Sequence, residues 1–315
     1  MSETFSVFGL SVRAEFPIPG AVPAPPDPSL PAVTLEMASP ERLEEEWSGV
    51  VTPEPWRGRL GDGQEFTVGW GREGDLLFRY GDRASFLLNP GKNRLGCAPA
   101  DPSSHAWLRV LLTRVLPNVS IANGYEALHA SAIATAHGTV AVAGASGSGK
   151  STLALELMRR GWPLFADDTL ILGRREGAVE AYPSGPFVNL PASAGDASWL
   201  GTELGALDGE RWVAVDDAAI DPAPVRAIVL LERGAGRLLR ARPVSASPLT
   251  LAPFMLGLPD HEGRESGRFS LYSDLIHSAA LLRLTADLGH RPADLAEELG
   301  RALDQRSPAL VGGAA

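Results

Sequence analysis

Cysteine is almost missing from this sequence: Cys97 stands alone among 315 residues. One thiol makes no internal disulfide, and no Cys/His spacing suits zinc. A reducing compartment fits that usage. No apolar run approaches the ~18–20 residues that span a bilayer. The opening MSETFSVFGLSVRAEF lacks the basic and then apolar regions of a secretory signal. The expectation is a cytoplasmic protein without a membrane partner. Basic charge is in deficit, 28 Lys plus Arg against 38 Asp plus Glu, for a net charge of −10. Without a basic block, a broad grip on nucleic acid is not expected. One local pocket for a triphosphate remains compatible with that charge.

What is there supports a folded chain. Apolar residues make up 44% and charged residues 21%, an ordinary globular balance, and the length allows two domains. Residues 5–16 read as a strand pair or a bent strand. The proline-rich stretch 17–31 reads as an extended surface connection. Between 32 and 90, AVTLEMA, EFTVGW, DLLFRYG and ASFLLNP suggest a small antiparallel sheet. Residues 104–116 carry apolar side chains at helical spacing. From residue 125 strands alternate with helices: ALHASAIATA, TVAVAGA and WPLFADDTLIL read as strands, with a helix at roughly 150–160. Arg159, Arg160 and Gly161 suit the end of that helix. Further on, RAIVLLER and RLLRARPV suggest a hairpin around Gly234–Gly236. SPLTLAPFMLGL, RFSLYSDLIHSAALL and PADLAEELGRALDQ suggest helices, with a short strand near Leu282–Thr285. The mixture predicts an α/β domain.

One motif carries chemistry. Residues 144–151 read GASGSGKS, matching G-x-x-x-x-G-K-[ST] between an apolar strand and a helix. Gly144, Gly147 and Gly149 permit the backbone to curl so that its N–H groups face phosphate oxygens. Across Gly144, Ala145, Ser146, Gly147, Ser148, Gly149, Lys150, Ser151 and Thr152, the loop and first helical turn form the candidate ATP site. Lys150 reaches the β- and γ-phosphates, and the Ser151 hydroxyl is a candidate Mg²⁺ ligand. A transporter-type ATPase is disfavoured: there is no LSGGQ, the only glutamines are Gln64 and Gln305, and IVLLER (228–233) ends without aspartate.

Asp167 and Asp168 follow Lys150 by 17 and 18 residues, one helix and one turn later. At a strand end beside a phosphate loop, one can accept the proton of an attacking hydroxyl and the other hold Mg²⁺. Alternation along a strand predicts that they point different ways. His129 lies 21 residues before Lys150 in an apolar strand, where a structural role is the commoner one. His137 reads as solvent-facing, and His261 and His277 have no motif around them.

LHASAIATAHGTVAVAGASGSGKSTLALELMRRGWPLFADDTLIL resembles the catalytic core of the HPr kinase/phosphorylase superfamily. It is most similar to the HPr-kinase-like proteins of lasso-peptide and other peptide-modification gene clusters. The opening VFGLSVRAEFPIPG resembles the start of those cluster proteins too. The strong resemblance covers roughly residues 126–172. It implies that Lys150 and Ser151 serve phosphate and Mg²⁺, that Asp167 is the base, that Asp168 supports it or the metal, and that His129 is a catalytic neighbour. Thr152 stands where enzymes acting on HPr carry glutamate, and no EVRGLG-like or PGRN-like signature follows. These departures argue against HPr as acceptor and against phosphorolysis. Arg264 and Arg268, in a loop with Gly263 and Gly267, are candidates for the γ-phosphate cation.

The expected fold is an α/β P-loop (HPr-kinase-like) catalytic domain over 101–315, with a smaller, mainly β N-terminal domain over 1–100. The expected activity is ATP- and Mg²⁺-dependent transfer of the γ-phosphoryl group to a hydroxyl, foremost a serine of a peptide or small protein such as a natural-product precursor. A small-metabolite kinase and a non-catalytic, ATP-gated regulatory protein stay open, as does a homo-oligomer.

Overall fold

A computed structural model describes residues 3–47, 55–59, 63–71, 73–192, 194–207, 209–234, 239–245, 247–258 and 264–305. His261, Gly263, Gly236 and the stretch 306–315 lie outside the described residues. Strands β1 (Glu3–Val7) and β2 (Leu10–Ala14) form a hairpin. Its two turn residues, Phe8 and Gly9, both have positive φ, 55° and 74°, as the turn that matches strand twist requires. Residues 17–31 hold neither helix nor strand, because proline lacks the N–H that either would use.

Next come β3 (Ala32–Met37) and α1 (Pro40–Glu46), a helix that the hydrophobic pattern did not reveal. Ser39 caps it, its Oγ accepting from Arg42 N at 3.2 Å, and Pro40 opens it. Then follow β4 (Trp56–Arg59), β5 (Glu65–Trp70), β6 (Leu76–Tyr80), β7 (Ala84–Asn89) and β8 (Arg94–Pro99). Among the described residues these strands make an eight-stranded sheet in the order β1-β2-β3-β8-β7-β6-β5-β4. It is not wholly antiparallel as the turn spacing suggested, since β3 runs parallel to both β2 and β8. The long 17–31 connection is what lets β3 return in the direction of β2. Helices α2 (Ala106–Val110) and α3 (Leu116–Ala122) flank a π turn at Leu111–Val115. That wider turn falls where Pro117 has no N–H for the regular ladder.

The following elements are β9 (Glu126–Leu128), β10 (Ala130–Thr135), β11 (Gly138–Ala143), α4 (Lys150–Arg159), β12 (Leu164–Ala166), β13 (Leu170–Arg175) and β14 (Ala178–Tyr182). α4 ends as expected: Trp162 N donates to Leu157 O at 3.3 Å and Gly161 N to Met158 O at 2.9 Å, with Gly161 left-handed. A three-stranded antiparallel sheet interrupts the order, formed by β15 (Phe187–Pro191), β16 (Gly201–Leu207) and β17 (Glu210–Val215). The chain closes with β18 (Ala223–Arg233), β19 (Arg240–Pro243), β20 (Met255–Leu256), α5 (Glu265–Ser278), β21 (Ala280–Ala286) and α6 (Pro292–Asp304).

The second large sheet runs β12-β10-β11-β18-β14-β13-β9-β20, with β21 also on β18 and β19 on β21. Only β11, β18 and β21 pair in parallel among its described strands. The result is a mixed α/β architecture. Three expectations need correction. WPLFADDTLIL is two strands with a corner between them. β19 pairs with β21 rather than folding back on β18. SPLTLAPFMLGL makes two 3₁₀ turns and β20 instead of a helix, because Pro248 and Pro253 deny helical hydrogen bonds.

Two compact units result. One joins Met1–Tyr125, Ser184–Ile220 and Gly257–Asp260; the other joins Glu126–Pro183, Asp221–Leu256 and His261–Ala315. The division is thus interleaved, whereas the sequence suggested a single cut near residue 100. No described helix is long and apolar enough to cross a membrane. Cys97 is buried, and burial pushes its thiol far up from the ordinary range. Leu35 sits fully buried on β3 in the middle of the first sheet. Leu35→Ala should cost about 3 kcal/mol through lost burial and the cavity left behind, read as a lower urea midpoint for that unit.

Candidate functional site

The loop at 144–149 joins β11 to α4 within the second unit. Gly144 lies flush on β18: a Cβ there would meet Leu231 O at 2.7 Å and Ser148 Oγ at 2.8 Å. Gly149 precedes the helix at φ +96°, a conformation that a side chain resists. Ala145, Ser146 and Gly147 are exposed, Thr152 faces solvent from α4, and Ser148 and Lys150 are buried. The Ser148 hydroxyl has no hydrogen-bond partner among the described residues, a loose end that a ligand oxygen can satisfy.

Lys150 uses all three of its donors. Its Nζ donates to Gly144 O at 3.1 Å, Ala145 O at 3.3 Å and His129 Nε2 at 3.1 Å. Burial lowers its pKa from the ordinary value of 10.5, opposed by the charges of Asp168 and Asp167.

The aspartates sit at the corner between β12 and β13. Thr169 N donates to Asp167 O at 2.7 Å, closing a three-residue turn with Asp168 at φ +65°. Such a turn is strained for a residue with a Cβ. β9 and β10 bend at the matching place, His129. The register is the same on both sides, Ala132 against Ala166 and Leu128 against Leu170. Carried through the corner, it sets Ser131 opposite Asp167.

The two carboxylates therefore divide the site. Asp167 Oδ1 accepts from Ser151 Oγ and from Ser131 Oγ, each at 3.2 Å, and the two hydroxyls lie 3.4 Å apart. Asp168 turns to His129, with Nδ1 at 3.0 Å from its carbonyl oxygen and 3.2 Å from Oδ1. Two acceptors facing Nδ1 select the tautomer protonated there. Nε2 is then an acceptor and takes the Lys150 bond. All of the expected catalytic residues, His129, Asp167 and Asp168, thus join Lys150 and Ser151 in one cluster. The carboxylate bonded to Ser151 is that of Asp167, while the sequence paired Ser151 with Asp168 as candidate metal ligands. Hydroxyl and carboxylate oxygens suit a hard cation such as Mg²⁺, which commonly takes one or two carboxylates and completes its shell on phosphates.

Arg268 lies within a helix and Arg264 at its start. α5 starts at Glu265 and includes Gly267. Both arginines bind the buried Glu126 of β9, Arg268 Nε at 2.8 Å and Arg264 at 3.4 Å. Tyr272 Oη also donates to Ala127 O at 2.9 Å. These contacts fix the strand that leads to His129. His137 is exposed in its turn, and His277 Nδ1 bonds to Ser273 O on its own helix.

Three residues escaped the sequence reading. Ser131 lies two positions after His129 and Glu126 three before it, so strand position was the only signal. Arg233 ends the apolar run IVLLER, where an aspartate was sought.

The chain matches no protein-family model. No curated protein matches it either. Among solved structures, the HPr(Ser) kinase/phosphatase from Coxiella burnetii overlaps 57% of this chain and 99% of its own, at 13% identity and a TM-score of 0.32. An overlap of that quality is too low to bear on fold or activity.

The corner makes a prediction of its own. Asp168→Gly removes the strain at φ +65° and should hold or raise stability, by up to about 1 kcal/mol. Thermal unfolding checks it; a fall of several degrees would show that the His129 contact outweighs the strain.

Proposed function

We propose that the second unit binds ATP with Mg²⁺ and transfers the γ-phosphoryl group to a hydroxyl. One observation carries this reading: Lys150, Ser151, Asp167, His129 and Asp168 converge at the start of α4 through hydrogen bonds of 3.0–3.3 Å. The loop amides and the helix start would cradle the phosphates. Ser151 and Asp167 would hold the metal, with Ser131 keeping the Asp167 carboxylate aimed. Bound there, Mg²⁺ supplies positive charge against the phosphoryl oxygens.

Lys150 would exchange its loop carbonyls and His129 for phosphate oxygens. That exchange leaves His129 Nε2 available as a proton acceptor, with Asp168 holding the ring by Nδ1. In the transfer, the acceptor oxygen bonds to the γ-phosphorus, the bond to the β-bridging oxygen breaks, ADP leaves, and the hydroxyl proton passes to His129. On this reading Asp167 would take the metal and the Asp168–His129 pair the proton, the reverse of the division suggested by sequence. The favoured acceptor is a serine on a peptide or small protein, supported by the resemblance of residues 126–172 to HPr-kinase-like proteins of peptide-modification clusters.

Labelled ATP incubated with the chain and serine peptides, read by mass spectrometry, tests this directly. His129→Asn and Asp168→Asn should each slow transfer by about 10²-fold or more, while nucleotide affinity stays within a few-fold. Transfer at the full rate by His129→Asn would remove the proton role. ATP binding without transfer to any hydroxyl would favour a gated regulatory protein.

The pH dependence has a definite sign. Phosphate needs the charged lysine, and burial makes Lys150 give up its proton below the ordinary 10.5. Affinity for ATP should therefore fall as pH rises through that lowered value. Asp168 is the larger of the two charges that oppose the shift. Asp168→Asn should move the alkaline fall to lower pH, measurable by calorimetric titration across the alkaline range.

A further inference from the structure

Strands β11, β18 and β21 run in parallel and end beside the loop. Ligands of open α/β sheets lie beyond such carboxyl ends. The groups assigned to chemistry come from β10 and from the two corners that join β9 to β10 and β12 to β13, a flank of the site that includes neither β18 nor β21. A triphosphate has two ends. If its γ end faces that flank, its nucleoside faces the other, over β18 and β21.

That second flank is built, and the proposed transfer makes no use of it. Arg233 spans it: Nε donates to Ser148 O at 2.8 Å and an outer nitrogen to Asp287 O at 2.9 Å. It presses on the loop so closely that a Cβ on Gly149 would come within 2.9 Å of the guanidinium. Past β21 the turn is fixed as well. Asp287 Oδ1 accepts from Gly289 N at 2.9 Å and His290 N at 3.1 Å, and pairs with His290 Nδ1 at 2.7 Å. On this ordered turn Leu288 is 84% exposed, more than any other large apolar side chain among the described residues.

We infer that the base of the bound nucleotide lies over the ends of β18 and β21 against Leu288, with Arg233 as the positioning residue that ties the phosphate loop to this turn. The inference rests on the ATP-binding reading above. It names the subsite that distinguishes a nucleotide from bare phosphate.

The test compares Mg-ATP with inorganic tripolyphosphate plus Mg²⁺ by isothermal titration of the full chain. Leu288→Ser changes an exposed side chain and leaves the core alone. It should weaken Mg-ATP by about tenfold and leave tripolyphosphate unchanged. Arg233→Ala should weaken both ligands, because the loop loses its brace. If Leu288→Ser leaves Mg-ATP unchanged, or weakens both ligands equally, the base contact is overturned while phosphate binding stands. If the unaltered chain binds neither ligand, the ATP reading fails and this subsite falls with it.

Discussion

Two antiparallel runs, β9–His129–β10 and β12–Asp167–Asp168–β13, bend at the same point and keep one register across the bend. Ordinary pairing would carry Asp167 and Asp168 to opposite faces and waste one of them. The tight turn at Asp168 changes that. It sends Asp167 to the two serine hydroxyls and leaves Asp168 under the His129 ring. The cost is a residue with a Cβ held at φ +65°, the kind of strain that functional sites retain. The pairing of Glu126 with Arg264 and Arg268 and the Tyr272 bond to Ala127 hold the approach strand in place. The bend is therefore supported from behind as well as from the front.

Lys150 is the electrostatic counterpart of the bend. It is buried, and its three donors are spent on two loop carbonyls and one imidazole nitrogen. An ammonium in that setting bonds to neutral acceptors, with the charges of Asp168 and Asp167 acting on it as well. Phosphate oxygens are stronger partners. Their arrival would draw the lysine away from His129 and uncover the nitrogen that the proposed transfer would use. On the proposed function, ligand binding and base activation would be a single event at one side chain.

Local signals made part of this legible in the sequence. The glycine-lysine loop, the Gly161 helix end and the strands around the loop depend on neighbours a few residues away. So do the turn-bounded strand segments of β5 to β7. What escaped depends on distant partners or silent backbone. ADDT contains no glycine or proline to announce a corner, so the run reads as one strand. Arg264 and Arg268 look like free cations until Glu126, 138 and 142 residues away, is placed beside them. Arg233 acquires its place only because β18 runs parallel to β11. The excursion over 184–220 carries short strands with no motif to mark them, and its membership in the first unit is a tertiary fact.

The most direct test is a crystal structure of the chain with Mn²⁺ and a non-hydrolysable ATP analogue, with the metal located by anomalous scattering. The metal peak should lie beside Ser151 and Asp167. Lys150 should sit on the phosphates, with His129 Nε2 released from it and the ring still held by Asp168 at Nδ1. A metal peak on Asp168, or Lys150 still bound to His129 with phosphates in place, would contradict this arrangement.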